Sequence, residues 1–232
     1  AHIVKNDDFH QLSKELLKYF ELTAEDIIKE LTPERFVRKT NYGNNEIYVI
    51  NAHNAPNTMR EIGRLREWAF RESGGGTGKS SDIDEFDTRD EAYFEQLIVW
   101  DPVEKEILGG YRFIECNKLP VKNNGQVDTP TSELFYYSED FIKNYLPYTI
   151  ELGRSFVQPK YQSTGNVRKS IFTLDNLWDG LGAVLTQTPN AKYFFGKVTM
   201  YSQYDKALRD MILFFMHKFF PDNDNLIYPY PE

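Results

Sequence analysis

The sequence has one cysteine, Cys116, in 232 residues. That excludes an intramolecular disulfide and a thiolate metal cluster, and makes a reducing, cytosolic compartment the expectation. Histidine is scarce too: His2, His10, His53 and His217 fall in no metal-ligand spacing, so no metal site is expected. No apolar run approaches the length of a membrane span, and no secretory apolar segment is seen near the start. Basic charge is in deficit, with 27 Lys and Arg against 35 Asp and Glu, which argues against a nucleic-acid partner. Repeats and low-complexity tracts are missing. Ser155 in "GRSF" lacks the G-x-S-x-G elbow, and Cys116 has no histidine near it in sequence, so neither reads as a covalent nucleophile.

What is plentiful is aromatic: 17 Phe and 15 Tyr, within a chain that is 41% hydrophobic. That suits one large domain, or a domain with an extension, whose aromatics fill a core or line a groove for an apolar ligand.

"SGGGTGKSS", Ser73 to Ser81, resembles a phosphate loop, G-x-x-x-x-G-K-[ST], in its second half only. Ser73 stands where the first glycine belongs. Such a loop needs a buried strand before it and a helix N-terminus after it. Here "TMREIGRLREWAFRE" precedes it, with Met59, Ile62, Leu65 and Ala69 at helical spacing and a Thr58/Glu61 capping-box signature. "DIDEFDTRDE" follows, six acids against one arginine, a poor start for a helix packed on a sheet. Nucleoside triphosphate binding is therefore not expected.

The remaining periodicities give an order of elements. Residues 7–31 read as helical through Phe9, Leu12, Leu16, Leu17, Phe20, Ile27, Ile28 and Leu31, and Pro33 marks a further helix start. "NEIYVI" is a short strand. "QLIVW" and "ILGGYRFI" flank the turn "DPVEKE" as a β-hairpin. "ELFYYS", "YTIELGRSFV" and "KYFFGKVTM" read as strands, with helices from about Val167 to Leu185 and from Asp205 to Phe220. Leu208, Met211, Ile212, Phe215 and Phe219 of the last helix form a stripe expected to be buried. This is a mixed α/β layer. It divides into a helical extension at 1–45 and a mixed α/β domain at 46–232.

The odd features are charges inside apolar strands: Arg112 in "GGYRFI", and Glu151 and Arg154 in "IELGRSFV". Buried charge is costly unless paired. Glu151 and Arg154 would face opposite sides of a regular strand, but Gly153 between them marks a bulge that could turn both to one side. Arg66 and Phe70 share a helix face, and Asp84 and Asp87 are three apart in the acidic stretch. These charges either neutralise one another in a buried network or surround a substrate.

"FDTRDEAYFEQLIVWDPVEKEILGGYRF", "FYYSEDF", "IELGRSFVQPKYQ", "LWDGLG" and "YFFG", spread over about residues 46 to 200, resemble the ornithine-lipid type (hemolysin-like) N-acyltransferases of the GNAT superfamily. The charged skeleton is also similar to that of acyl-homoserine-lactone synthases. The resemblance implies a GNAT-like mixed sheet, centrally splayed and flanked by helices. It implies transfer of a fatty acyl group, often 3-hydroxylated, from acyl carrier protein to the α-amino group of a small amino acid, giving a lyso-aminolipid. Arg66, Phe70, Asp84, Asp87, Arg112, Glu151 and Arg154 would then surround acceptor and thioester, with Glu151 as base and the others binding substrate. No tightly bound cofactor is implied, only acyl-phosphopantetheine or acyl-CoA as donor. The setting implied is cytoplasmic, with peripheral contact at the inner membrane face through the lipid product. The lactone synthases place a tryptophan between the positions of Phe70 and Asp84, and this chain has none, so S-adenosylmethionine is not the expected acceptor.

Two other readings stay open at this level. A CoA-dependent enzyme of the same fold would hold pyrophosphate on a glycine-rich turn, for which "YQSTGNVRKS" offers only Gly165. A non-catalytic lipid-binding or hemolysin-like module would tolerate Glu151→Gln. For a carrier-protein donor, which is acidic, Arg60, Arg64 and Arg71 on one helix face are the expected docking surface.

Overall fold

Near-continuous apolar runs along the middle strands, such as Leu97 to Trp100, suit a sheet covered on both faces. The computed structural model describes residues 22–123, 125–162, 167–201 and 203–230. Helix α1 (Ala24–Glu30) leads into β1 (Phe36–Lys39) and β2 (Glu46–Ile50); α2 (Pro56–Glu72) and the single turn α3 (Glu85–Thr88) follow. Strands β3 (Glu95–Asp101) and β4 (Glu106–Glu115) form the hairpin, and β5 (Phe135–Tyr137) is short. Then come β6 (Thr149–Val157), α4 (Val167–Gln187), β7 (Tyr193–Gly196), α5 (Lys206–Phe219) and β8 (Ile227–Pro229). The main sheet runs β1-β2-β3-β4-β6-β7, antiparallel except for the parallel β6–β7 pair, whose crossover is α4. β5 and β8 form a separate two-stranded ribbon.

Period two divides β3 cleanly. Ile98 and Trp100 face α1 and α2, packing with Met59, Ile62, Leu65 and Ala69. Leu97 and Val99 face α4, packing with Leu177 and Val184. A third cluster, around Phe94, Ile114, Tyr137 and Phe141, fills the end of the sheet beneath β5.

Several local expectations are corrected. The helical positions expected at Phe9, Leu12, Leu16, Leu17 and Phe20 lie outside the described residues. No helix starts at Pro33; the chain turns there and enters β1, which pairs with β2. The Thr58/Glu61 capping box does not form. Helix α2 starts three residues earlier, at Pro56 with Ala55 as its N-cap, and is capped from α1: the Glu30 carboxylate accepts from the Asn57 amide at 3.0 Å, and from the Thr58 amide and hydroxyl at 2.7 Å each. A carboxylate from a neighbouring helix meets the same unpaired N–H groups that a local cap would. The acidic stretch does form a turn, α3, because Asp84 at its N-cap and Asp87 at the third position make a reciprocal capping box. The α5 stripe is the largest departure. Leu208, Met211, Ile212, Phe215 and Phe219 are all exposed, and α5 buries no residue among the described ones. The helix follows β7 in the chain, and its apolar residues have the spacing of a core face without a described layer to cover them.

Candidate active site

The sheet splays between β6 and β7. Their parallel pairing covers Thr149↔Tyr193 through Leu152↔Gly196, while β6 continues to Val157. From Gly153 onward, the β6 edge that faced β7 has no strand beside it. On its other side β6 carries one extra residue against β4: Gly110 pairs Phe156 and Arg112 pairs Gly153. The expected bulge is thus present, but Arg154, not Gly153, takes the left-handed conformation, at φ 49°. That conformation costs a non-glycine residue about 1–2 kcal/mol. Here the Arg154 side chain is anchored, its Nε 3.1 Å from Asp82 and its guanidinium over the Phe70 ring at 6.0 Å.

The splay opens a cavity of about 760 Å³ whose walls include Phe70, Asp84, Arg112, Thr131, Glu151 and Lys197, within the size range of small-ligand pockets. Arg154 and Phe156 of β6, and Val198 and Tyr201 beyond β7, also line it. The glycine loop closes one side. A Cβ on Gly75 would lie 1.8 Å from the Tyr201 hydroxyl, so glycine is required for that approach. The loop's amides are already occupied: those of Thr77 and Gly78 donate to the buried Glu67 carboxylate at 2.8 and 3.0 Å, as does the Thr77 hydroxyl at 2.6 Å. Burial pushes the Glu67 carboxyl up, but Thr77, Arg71 and Gly78 outweigh it and hold it below the usual range. A fixed carboxylate thus fills the place that a phosphate would need.

Six of the seven residues singled out by sequence, all but Glu151, meet in one wall. Arg66 is fully buried on α2, with Nε 3.1 Å from Asp82 and a two-pronged contact to Asp87 at 3.2 and 3.3 Å. Arg112 reaches Asp84 at 2.7 Å and Asp87 at 3.3 Å. Arg154 reaches Asp82 at 3.1 Å and Asp84 at 3.5 Å. Gln96 donates to Asp87 at 2.9 Å. Three arginines therefore face three aspartates. Burial pushes the Asp84 carboxyl up, but Arg112 first, then Arg154 and Arg66, hold it below the usual carboxylate range. Asp82 belongs to this set although the spacing analysis passed over it. Its signal was present in the same acidic stretch. The close packing of Gly63 against Ser81 and Ile83, with the Asp82 amide donating to the Gly63 carbonyl at 2.9 Å, brings it beside Arg66.

Glu151 stands apart from that cluster. It is 2% exposed, lines the cavity, and accepts from the Thr131 hydroxyl at 2.7 Å through Oε1, while Oε2 has no hydrogen-bond partner. Burial raises its carboxyl above the ordinary range, against the opposing pull of Thr131, Thr129, Arg112 and Lys197. A carboxylate with one free oxygen, its carboxyl raised above the ordinary range and a cavity in front of it is equipped to take a proton. Thr131 was not singled out by sequence: it lies in what reads as a polar loop, 20 positions from Glu151. Lys197 was not singled out as a site residue either, because it follows the short β7 as an ordinary surface lysine would. Cys116 is buried, and burial, then the charge of Glu151, pushes its thiol up, so it keeps its proton. Among the described residues no cluster of ligating side chains suits a metal ion, and no helix is long and apolar enough to cross a membrane.

Residues 65–170 match the acetyltransferase (GNAT) domain family. Over 218 residues the chain is 55% identical to a glycine N(alpha)-acyltransferase of Bacteroides thetaiotaomicron, covering 94% of this chain and 61% of that protein. It is 52% identical over 218 residues to a glycine N(alpha)-acyltransferase of Phocaeicola vulgatus, covering 94% and 64%. The chain thus spans about three fifths of the length of the curated relatives it matches. An aminoglycoside acetyltransferase from an uncultured soil metagenomic sample, solved with sisomicin, aligns at TM-score 0.37 and 14% identity, covering 81% of this chain and 95% of that one. The splayed mixed sheet and the match over residues 65–170 together give the chain a GNAT-like fold.

Proposed function

We propose that this chain is an N-acyltransferase that moves a fatty acyl group from a phosphopantetheine thioester to the α-amino group of glycine, giving an N-acylated amino acid of the lyso-aminolipid type. The observation that carries the reading is Glu151, buried at the splay with one oxygen unpartnered and its carboxyl raised. The acceptor follows the name shared by both relatives. The donor, acyl carrier protein, follows the resemblance in the motifs, and acyl-CoA is the competing donor.

In this reading the thioester enters along the open edge of β6, where amides beyond Leu152 that face away from β4 would serve an extended donor arm and the oxyanion. The α-ammonium loses a proton through Glu151 Oε2. The free amine attacks the thioester carbon, the C–N bond forms as the C–S bond breaks, and the remaining surplus N–H proton ends on the departing thiolate. Phe70, Phe156, Val198 and Tyr201 give the cavity an apolar side for the chain. The acidic carrier protein would dock on the outer face of α2 at Arg60, Arg64 and Arg71. Arg64 pairs with Glu61 at 2.7 Å and Arg71 with Glu67 at 2.5 Å, so that face offers less net charge than the sequence alone implied.

The test is to supply glycine with acyl carrier protein or CoA thioesters of 3-hydroxy and plain fatty acids and to follow N-acylglycine by mass spectrometry. Product with carrier-protein thioesters supports the full reading, and product with CoA thioesters alone replaces the donor. Thioester hydrolysis without an N-acyl product from either donor sinks it.

A further inference from the structure

The three arginines of the site are matched by three aspartates, so none of them brings spare positive charge to an incoming carboxylate. One cation on the cavity wall has no carboxylate within ion-pair distance among the described residues: Lys197. It stands one residue beyond the last β6–β7 pair, Leu152↔Gly196, on the lip of the splay opposite Gly153. Its ammonium donates to the Pro130 carbonyl at 2.6 Å, and the next residue, Thr131, donates to Glu151 at 2.7 Å. Two adjacent loop residues thus hold the cation that lacks an ion-pair partner and the buried carboxylate whose second oxygen is free. Glu151 and Glu133 act on Lys197 electrostatically from beyond contact distance, and Arg154 and Arg112 oppose them.

We propose that Lys197 binds the carboxylate of the amino-acid acceptor and thereby presents its α-nitrogen to Glu151. The inference deepens the reading given above and rests on it. An α-amino acid is a zwitterion whose two charges are two bonds apart. An ammonium without an ion-pair partner at the mouth, with a half-partnered carboxylate buried behind it, is its electrostatic complement. The Asp–Arg wall is not, since each of its charges already has a partner and would have to lose it. Lys197 is exposed at the mouth while Glu151 is buried behind it, so the acceptor's carboxylate would enter last and its nitrogen first.

The experiment compares glycine with glycinamide, which lacks the carboxylate charge, in wild type, Lys197→Met and Lys197→Arg, by steady-state kinetics and by ligand-observed NMR binding without donor. Lys197→Met is expected to raise the KM and Kd for glycine about 10–100-fold, the range of one charge-assisted hydrogen bond, with a much smaller change in kcat. Glycinamide constants should move little, and Lys197→Arg should recover most of the glycine binding. Unchanged glycine constants in Lys197→Met overturn the inference. So do equal losses for glycine and glycinamide, which would place Lys197 on the donor or in the fold. If the wild type transfers no acyl group yet binds glycine through Lys197, the functional reading falls and the carboxylate site stands. If it turns over glycine with a KM indifferent to Lys197, the reverse holds.

Discussion

The two charged walls of the cavity differ in one respect that matters. On one, Arg112, Arg154 and Asp84 line the cavity with Arg66, Asp82 and Asp87 buried behind them, three arginines matched by three aspartates drawn from α2, β4, β6 and the acidic segment around α3. On the other, Glu151 keeps one oxygen unpartnered and Lys197 has a carbonyl for its described partner. Matched buried charges tie backbone segments together and hold the β6 bulge in place. Unmatched ones cost stability and are kept where a reagent completes them. The first wall is expected to fail by unfolding and the second by losing chemistry.

The largest effect should come from Glu151→Gln. Turnover is expected to fall by about two to four orders of magnitude, the usual worth of a general base, while the melting temperature does not drop. The wild-type kcat/KM should rise with pH through an inflection above the ordinary carboxylate range, and that inflection should vanish in the variant. An unfolded variant would move Glu151 to the structural wall, and a near-full rate would remove it as the base.

Next come the arginines. Arg66→Ala and Arg112→Ala each take one of two arginine partners from two aspartates and leave the buried network one negative charge in excess, which costs about 3–5 kcal/mol. Arg154, with its side chain 36% exposed, should cost less. Urea unfolding checks the order, and three variants that melt like the parent would mean the cluster is not buried.

A smaller contrast lies in the pH dependence of stability. The Asp84 and Glu67 carboxyls are held low, so the stability they contribute is present above the ordinary carboxylate range and lost as pH falls through their depressed values. Glu151 has the opposite sign. Its raised carboxyl binds its proton more tightly folded than unfolded, so folding loses stability as pH rises from the ordinary carboxylate range through the raised value. Glu151→Gln should remove only this second decline, the one above the ordinary carboxylate range. Denaturation midpoints across pH would show otherwise if both arms stayed.

The smallest effects should come from α5, compared with α2. Leu65→Ala in α2 removes a fully buried side chain and should cost about 2–5 kcal/mol. Met211→Ser and Phe214→Ser, at 68% and 66% exposure, should each stay within about 0.5 kcal/mol. Losses there as large as in α2 would mean that α5 is covered in solution.

Much of this was legible beforehand, for reasons that can be named. The β3–β4 hairpin, β6, α4 and the helical spacing of α2 follow from apolar periods of two and 3.6, which are local properties. The β6 irregularity was marked by Gly153, although the left-handed residue is Arg154, held there by Asp82 and Phe70. The wrong turns share a cause. Thr58 and Glu61 have the right spacing for a cap, yet Glu30 from another helix supplies it. The α5 stripe has the right spacing for a core, yet no described layer covers it.

By itself, then, the sequence determined that a mixed sheet would form, which faces of its strands are apolar, and that charges placed inside those strands must find partners. Only the tertiary structure decided which partners. Residues 82, 84 and 87 satisfy the arginines, while 131, 151 and 197, far apart in the chain, meet at the splay and leave an acid and a cation unmatched. Hydrophobic periodicity is read along the chain, but ion pairing acts across space over a few ångströms, and no spacing rule records which distant segments the fold brings that close.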